Sequence, residues 1–177
     1  MADDLIPWSH PLSLSEAIRT GSFVLDADED ARKRIARSLD LPSVSRLHAE
    51  LSVRAWLDGA EILGRLEAEV EQTCGVTLDP FPAQVAGVIE LQLLPAGSPN
   101  AAEVEGEEME LDPDAPDPPD LLEGETFDLG HYVVEHLALA LDPFPRKPGA
   151  EFDYQPSTKE ESPFAVLKAL KRDDGAV

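Results

Sequence analysis

The chain has 177 residues and one cysteine, which suits a single domain over residues 1–177 with a buried core and excludes an internal disulfide. Its 36 acidic and 14 basic residues give a net charge of -22, which repels nucleic acid and anionic membranes and attracts basic proteins. The first residues lack a signal-peptide pattern, and no stretch is long enough to span a membrane. We therefore expect a cytoplasmic protein that does not bind membranes.

The first third of the chain predicts a short helix in "LSLSEAI", a short strand in "GSFVLD" and then a longer helix over residues 29–39. In this longer helix Ala31, Ile35 and Leu39 recur every four residues on one stripe. Asp26, with Glu29 three residues later, resembles a capping box at its start.

Three long strands follow, because apolar and polar residues alternate over residues 47–57, 62–70 and 85–93. Asp58 and Gly59 between the first two are typical of a two-residue hairpin turn. Three such strands in a row predict a twisted antiparallel meander sheet centred on residues 44–94. The inner face of this sheet needs helices to cover it.

Residues 96–126 have a different composition, with eleven acidic residues and no basic one between Glu103 and Glu125, and several prolines. Such a segment buries too little apolar surface to offset its ordering entropy, so we predict a flexible acidic loop. An edge strand around Met109 and Leu111 is an open alternative. The loop is interpreted either as a solubilising insertion or as an RNA mimic that binds a basic protein.

Two further helices are predicted towards the carboxyl terminus. Asp128 can cap a helix over residues 128–141, and Ser162 with Pro163 opens a short helix in "PFAVLKALKR". The predicted fold is therefore α+β: a twisted antiparallel meander sheet packed by a few helices, near residues 29–40 and 128–141, with a flexible acidic loop.

Two basic clusters are candidate sites for contact with RNA or a partner. The alternative reading of the first cluster is a solvated helix face that balances acidic neighbours. The candidate residues are Arg32, Lys33, Arg34 and Arg37 in the first cluster, and Lys168, Lys171 and Arg172 in the second.

Cys74 is interpreted as an inert packing residue rather than a nucleophile. The nearby carboxylates of Glu69, Glu71 and Asp79 are expected to raise its pKa, whereas a catalytic thiol needs a lowered one. The four histidines form no ligand motif, and the 36 carboxylates single out no acid–base pair. We expect no catalytic residue, no metal site and no cofactor.

Several phrases together resemble the YceD family: "TCGVTLDPFP", then an acidic stretch, then "FDLGHYVVEHLALALDPFPRKPG", and finally "SPFAVLKALKR". The resemblance implies a role in large-subunit ribosomal RNA accumulation or assembly. The family pattern carries a Cys-x-x-Cys, of which Cys74 matches the second cysteine while Glu71 stands at the first. Where relatives have a further His or Cys, this chain reads "GAEFDY", so the resemblance implies that their metal set is absent here.

These observations lead to three functional hypotheses. The first is a non-enzymatic ribosome-biogenesis factor that contacts a basic ribosomal protein or RNA-processing factor, with local or indirect contact to ribosomal RNA. The alternative is a carboxylate- and metal-dependent hydrolase or nuclease in RNA processing, which needs acids with shifted pKa values converging in a cleft. A bare RNA-binding module ranks last, because the outward positions of the second long strand are mostly glutamate. The sequence indicates no oligomeric state.

Overall fold

The computed structural model describes residues 6–101 and 118–152. These residues form a mixed α+β structure, which confirms the predicted fold class. The elements in chain order are β1 (Pro11–Ser13), α1 (Leu14–Thr20), β2 (Ser22–Asp26), α2 (Glu29–Ser38), β3 (Ser43–Trp56), β4 (Gly59–Thr73), β5 (Pro80–Pro95), β6 (Asp120–Leu122), β7 (Thr126–Asp128) and α3 (Leu129–Ala140).

Five strands make the main sheet in the order β2-β3-β4-β5-β6, and β1 pairs with β7 in a separate two-stranded ribbon. All neighbours in the main sheet are antiparallel except β6, which runs parallel to β5. Most of residues 96–126 is predicted to be a flexible loop, but β6 and the start of β7 fall within the described end of that stretch. β6 forms there because residues 93–95 offer it an unpaired strand edge and Leu122 is buried against the core. The alternative strand around Met109 and Leu111 lies outside the described residues.

One face of the sheet carries the core. Residues at alternate positions of β3, β4 and β5 are buried in a single cluster with residues of the helices. α2 contributes Ala31, Ile35 and Ala36, and α3 contributes Val133 and Leu137 among others. The predicted alternation is confirmed over most of β3, but Leu57 is 60% exposed because it lies in the turn beyond the helices. None of the described helices is long and apolar enough to cross a membrane.

The β3–β4 turn lies one residue earlier than predicted. Trp56 pairs with Gly59, so Leu57 and Asp58 form the two-residue connection, with Leu57 at a φ of 51°. Gly59 is needed for a different reason: a Cβ there would lie 1.8 Å from the carbonyl oxygen of Leu93 on β5. Close approach of a third strand, rather than turn geometry, therefore requires this glycine.

The helix starts are set by aspartates. Asp28, not Asp26, caps α2, and its Oδ1 accepts a hydrogen bond from the N–H of Ala31 at 2.7 Å. Asp26 is instead the last residue of β2. Asp128 caps α3 as predicted, accepting from the N–H of His131 at 3.1 Å. The predicted helix in "PFAVLKALKR" lies outside the described residues.

Candidate partner-binding surfaces

The second face of the sheet is exposed to solvent, and we call it the open face. It consists of the side chains of β2 to β5 that alternate with the core residues. Its carboxylates outnumber its arginines. The carboxylates are Asp26, Glu50, Glu61, Glu67, Glu69, Glu71 and Glu90, and the arginines are Arg46, Arg54 and Arg65.

Each arginine of the open face forms an ion pair across the β3–β4 ladder. Arg54 pairs with Glu61, Arg65 Nη2 lies 2.7 Å from Glu50 Oε2, and Arg46 Nη1 lies 3.5 Å from Glu67 Oε2. The hydrogen bond from Arg54 lowers the pKa of Glu61. In the Arg65–Glu50 and Arg46–Glu67 pairs both side chains are about half exposed or more, so these two pairs contribute only modestly to stability.

Three carboxylates of the open face have no salt bridge to a cation among the described residues: Glu69, Glu71 and Glu90. Within the described part of the chain, the side chains of Glu71 and Glu69 accept hydrogen bonds from the hydroxyls of Ser43 and Ser45, at 2.9 Å and 3.4 Å. The open face therefore keeps uncompensated negative charge after its own arginines are counted.

A groove of about 850 Å³ lies where β5, α3 and the start of β6 meet. Among the described residues, four carboxylates line it, those of Glu61, Glu90, Asp120 and Glu135, and no lysine or arginine does. Its apolar lining includes Leu63, Leu91 and Leu139, the last of which is 82% exposed.

Two contacts involve side chains that line the groove. Burial, together with the charge and hydrogen bond of Asp120, raises the pKa of Tyr132, so its phenol stays protonated at neutral pH. His131 Nε2 lies 3.3 Å from Glu135 Oε1 one turn along α3. The Tyr132–Asp120 contact links α3 to β6, whereas the His131–Glu135 pair lies within α3.

The hydrolase hypothesis requires acids that converge with pKa values suited to proton transfer. In the groove, the pKa of Glu61 is shifted downward by Arg54, which is the opposite of what a general acid needs. Across residues 6–101 and 118–152, no group of three or more His, Cys, Asp and Glu side chains has the arrangement of a metal site.

The first basic cluster is engaged in local contacts on α2, which packs on β3. Lys33 Nζ lies 2.6 Å from Glu29 Oε1, and this pair raises the pKa of Lys33 and lowers that of Glu29. Arg32 Nη1 donates to the carbonyl of Ala27 and Arg34 Nε to that of Pro7, each at 2.9 Å.

Arg37 Nε donates to the carbonyl oxygen of Lys33 at 3.3 Å. This cluster is separate from the groove, whose lining comes from β4, β5, β6 and α3. Its contact with RNA or a partner stays a prediction. The second cluster, Lys168, Lys171 and Arg172, lies outside the described residues.

Cys74 is fully buried, as predicted for a packing residue, but its pKa is lowered to about 6 rather than raised. Hydrogen bonds from the Thr77 side chain, from the N–H of Lys147 and from the loop backbone stabilise the thiolate. The Sγ lies 3.4 Å from the backbone nitrogens of both Val76 and Lys147. The predicted rise in the pKa of Cys74 was wrong because Glu69 and Glu71 point to the open face, away from Cys74.

The thiol joins two loops. Gly75 N–H donates to the carbonyl of Pro145 at 2.9 Å, and Lys147 Nζ lies 3.6 Å from Asp79 Oδ2. Lys147 thus offsets the charge of Asp79, the third carboxylate that was expected to raise the pKa of Cys74. Cys74 acts as a hydrogen-bonded junction between residues 74–79 and 142–147.

These features define an α+β protein whose sheet has one face covered by helices and one acidic face open to solvent. The chain belongs to the YceD family, described as large ribosomal RNA subunit accumulation protein YceD, which matches residues 62–171. This confirms the resemblance drawn from the sequence. Comparison with curated proteins and with solved structures found no match.

The matched range contains residues 62–73 of β4, all of β5, Cys74, α3 and, among the described residues, every one that lines the groove except Glu61. The first basic cluster on α2 lies outside it. Sequence reasoning missed the groove, because its residues come from separated segments. A usable signal was present in Pro80 and Pro82, since prolines two apart within a strand indicate an unpaired edge.

Proposed function

We propose that this protein supports accumulation of large-subunit ribosomal RNA in the cytoplasm as a non-catalytic factor that binds a basic protein. The partner class is a basic ribosomal protein or a basic RNA-processing factor. Membership of the YceD family, whose description names this process, supports the RNA side of the proposal.

The observation that carries the partner side is the uncompensated charge of Glu69, Glu71 and Glu90. The arginines of the open face already have carboxylate partners, so the part of this surface that the structure describes offers phosphate no unpaired arginine. A protein carrying lysines and arginines would gain from these carboxylates and from the long-range attraction of a chain with net charge -22.

A complementation experiment tests this proposal in cells. Deletion of the gene should lower the ratio of large- to small-subunit ribosomal RNA, and the wild-type gene should restore it. The variant Glu69→Gln, Glu71→Gln, Glu90→Gln removes the three unpaired charges without breaking an ion pair, and it should restore the ratio poorly. The matched control Asp40→Asn, Glu123→Gln, Glu151→Gln removes three exposed charges elsewhere and should restore it fully.

Affinity purification from the native cells at physiological salt tests the partner class. We expect a basic protein that stays bound after ribonuclease treatment and is lost with the open-face variant. Recovery of RNA without any protein would contradict the proposal, as would an unchanged RNA ratio in the deletion strain.

A further inference from the structure

We propose that the unpaired edge of β5, over residues 84–92, binds an extended basic segment of the partner, which adds a strand to the sheet beside the groove. This inference rests on the proposed function and assigns the surface that performs it. It is carried by three features: a free strand edge, a groove along that edge, and the sign of the charge that lines it.

Within residues 6–101 and 118–152, no strand pairs with this edge over most of its length. β5 pairs with β4 along nearly its whole length, but on its other side only residues 93–95 pair with β6. Trp56 and Gly59 flank a two-residue turn. From this pair onward, hydrogen-bonded and non-hydrogen-bonded residue pairs alternate along the β3–β4 ladder, and this fixes which residues of β4 bond to β5. This alternation directs the N–H and C=O groups of even-numbered β5 residues away from β4. The hydrogen bond from the Ala96 N–H to the Leu122 carbonyl agrees with this assignment, because residue 96 is even-numbered and bonds on the side away from β4.

Among the described residues, no backbone hydrogen bond from another element reaches this edge between residues 84 and 92. Pro82 sits at an outward position where it has no N–H to offer, so the edge available to a ligand begins after it. Gln84, Ala86, Val88, Glu90 and Gln92 present the outward backbone groups. Such a ladder of unpaired groups is the template used in strand addition.

The groove supplies the side-chain contacts. An added strand places alternate side chains on its two sides, so one set faces the groove near Leu91 and Leu139 and the other faces Val88 and Glu90 on the open face. Val88 is 67% exposed and Leu139 is 82% exposed, which leaves apolar surface for such a segment to cover. The described lining residues include four carboxylates and no lysine or arginine, so they favour lysine or arginine at the remaining positions of the bound segment.

The charge also argues against two other occupants. Residues 103–117 of this chain carry acidic residues and no basic one, so they would be repelled by the groove. A second copy of the chain would bring the same acidic edge and a net charge of -22. An extended segment rich in basic residues avoids both repulsions.

Binding of a designed probe to the full chain tests the proposal directly. The probe is a capped peptide of alternating lysine and valine, long enough to cover residues 84–92, and its counterpart alternates glutamate and valine. Amide resonances of residues 84–92 should shift with the basic peptide, and the N–H groups of Ala86, Val88 and Glu90 should exchange more slowly with solvent. The acidic peptide should produce neither effect.

A pair of variants at Val88 isolates the backbone contribution. Val88→Pro removes an outward N–H while leaving the bonds to β4, and Val88→Ala removes the same side chain but keeps the N–H. We expect the proline variant to bind about tenfold or more weakly than the alanine variant, because a backbone hydrogen bond is lost. Equal thermal melts of the two variants show that the difference is not misfolding. If Val88→Pro unfolds, Glu90→Gln with Glu135→Gln must weaken the basic peptide instead.

The proposal is overturned if the basic peptide does not bind at millimolar concentration or if the two Val88 variants bind it equally well. It is also overturned if the amide resonance shifts are confined to the open face and the edge amides are not protected from exchange, or if the protein dimerises through this edge. The complementation assay separates this failure from failure of the proposed function. If deletion lowers the ribosomal RNA ratio but Val88→Pro restores it as well as Val88→Ala, the edge assignment falls and the proposed function stands. If deletion has no effect, the proposed function falls.

Discussion

His48 and Asp26 face each other directly across the β2–β3 ladder, with Nδ1 of the imidazole 2.7 Å from Oδ1 of the carboxylate. The hydrogen bond to Asp26 raises the pKa of His48, with a smaller contribution from Glu50. β2 is the outermost antiparallel strand of the sheet, so this contact ties a strand edge to its neighbour.

The His48–Asp26 pair should make stability depend on pH. Because the folded-state pKa of His48 lies above its ordinary 6.5, the stabilisation is fully present below about pH 6.5 and is lost as pH rises through the raised pKa. Asp26→Asn should bring the pKa of His48 down and cost about 0.5 kcal/mol at acidic pH, since the carboxylate is exposed. NMR titration of the histidine ring measures the first effect and urea unfolding the second. An unchanged His48 pKa in the variant would rule out Asp26 as the cause.

Gly59→Ala should destabilise the sheet strongly. The added Cβ would lie 1.8 Å from the Leu93 carbonyl oxygen, so β4 and β5 must move apart at the hairpin end. We expect a loss of at least about 2 kcal/mol in the free energy of unfolding, measured with urea. Gly97→Ala is the matched control, because nothing lies within 4 Å of a Cβ there, and its unfolding curve should match that of the wild type.

Asp128 joins the amino-terminal segment to α3. Its carboxylate accepts from the His131 N–H at the start of α3, from the His10 N–H at 2.7 Å and from the Ser9 hydroxyl at 2.5 Å. Asp128→Ala should cost about 1–2 kcal/mol by removing the cap and both cross-links. Asp128→Asn keeps an acceptor oxygen and should cost less. Equal losses in the two variants would show that the acceptor role is unimportant.

Cys74 should give stability an opposite pH dependence. Its pKa is lowered from 9.0 to about 6, so the stabilisation is fully present above pH 9 and is lost as pH falls to about 6. Cys74→Ser keeps a hydrogen-bond acceptor but does not titrate in this range. The difference in unfolding free energy between wild type and Cys74→Ser should therefore grow in favour of the wild type from pH 6 to pH 9. A difference that is constant with pH would show that the folded thiol has an ordinary pKa.

Much of the fold follows from local patterns. Alternation of apolar residues located β3, β4 and β5, and the four-residue spacing located α2 and α3. These predictions hold because a strand or helix with one buried face has to place apolar residues with its own period. The errors were local: Asp28 rather than Asp26 caps α2, since Asp26 is needed in β2 to face His48.

The candidate site was much less accessible to prediction. The carboxylates of the groove come from β4, β5, β6 and α3, and no spacing in the chain links Glu61 with Glu135. The lowered pKa of Cys74 depends on the N–H of Lys147, 73 residues away. Glu61 and Glu69 each lie across the ladder from an arginine, but Arg54 pairs with Glu61 whereas Arg46 pairs with Glu67, and no residue spacing predicts that difference.

Periodicity, composition and charge alone establish an α+β chain with a strongly acidic surface, and a few short sequence phrases carry the resemblance to the YceD family, because each of these properties is encoded within neighbouring residues or summed over all of them. Tertiary structure alone decides which carboxylates form an ion pair with an arginine, which strand edge remains unpaired and which hydrogen-bond donors surround the thiol of Cys74. Those outcomes depend on strand register and on contacts between distant segments, and a shift of one residue in register would exchange the two faces of the sheet.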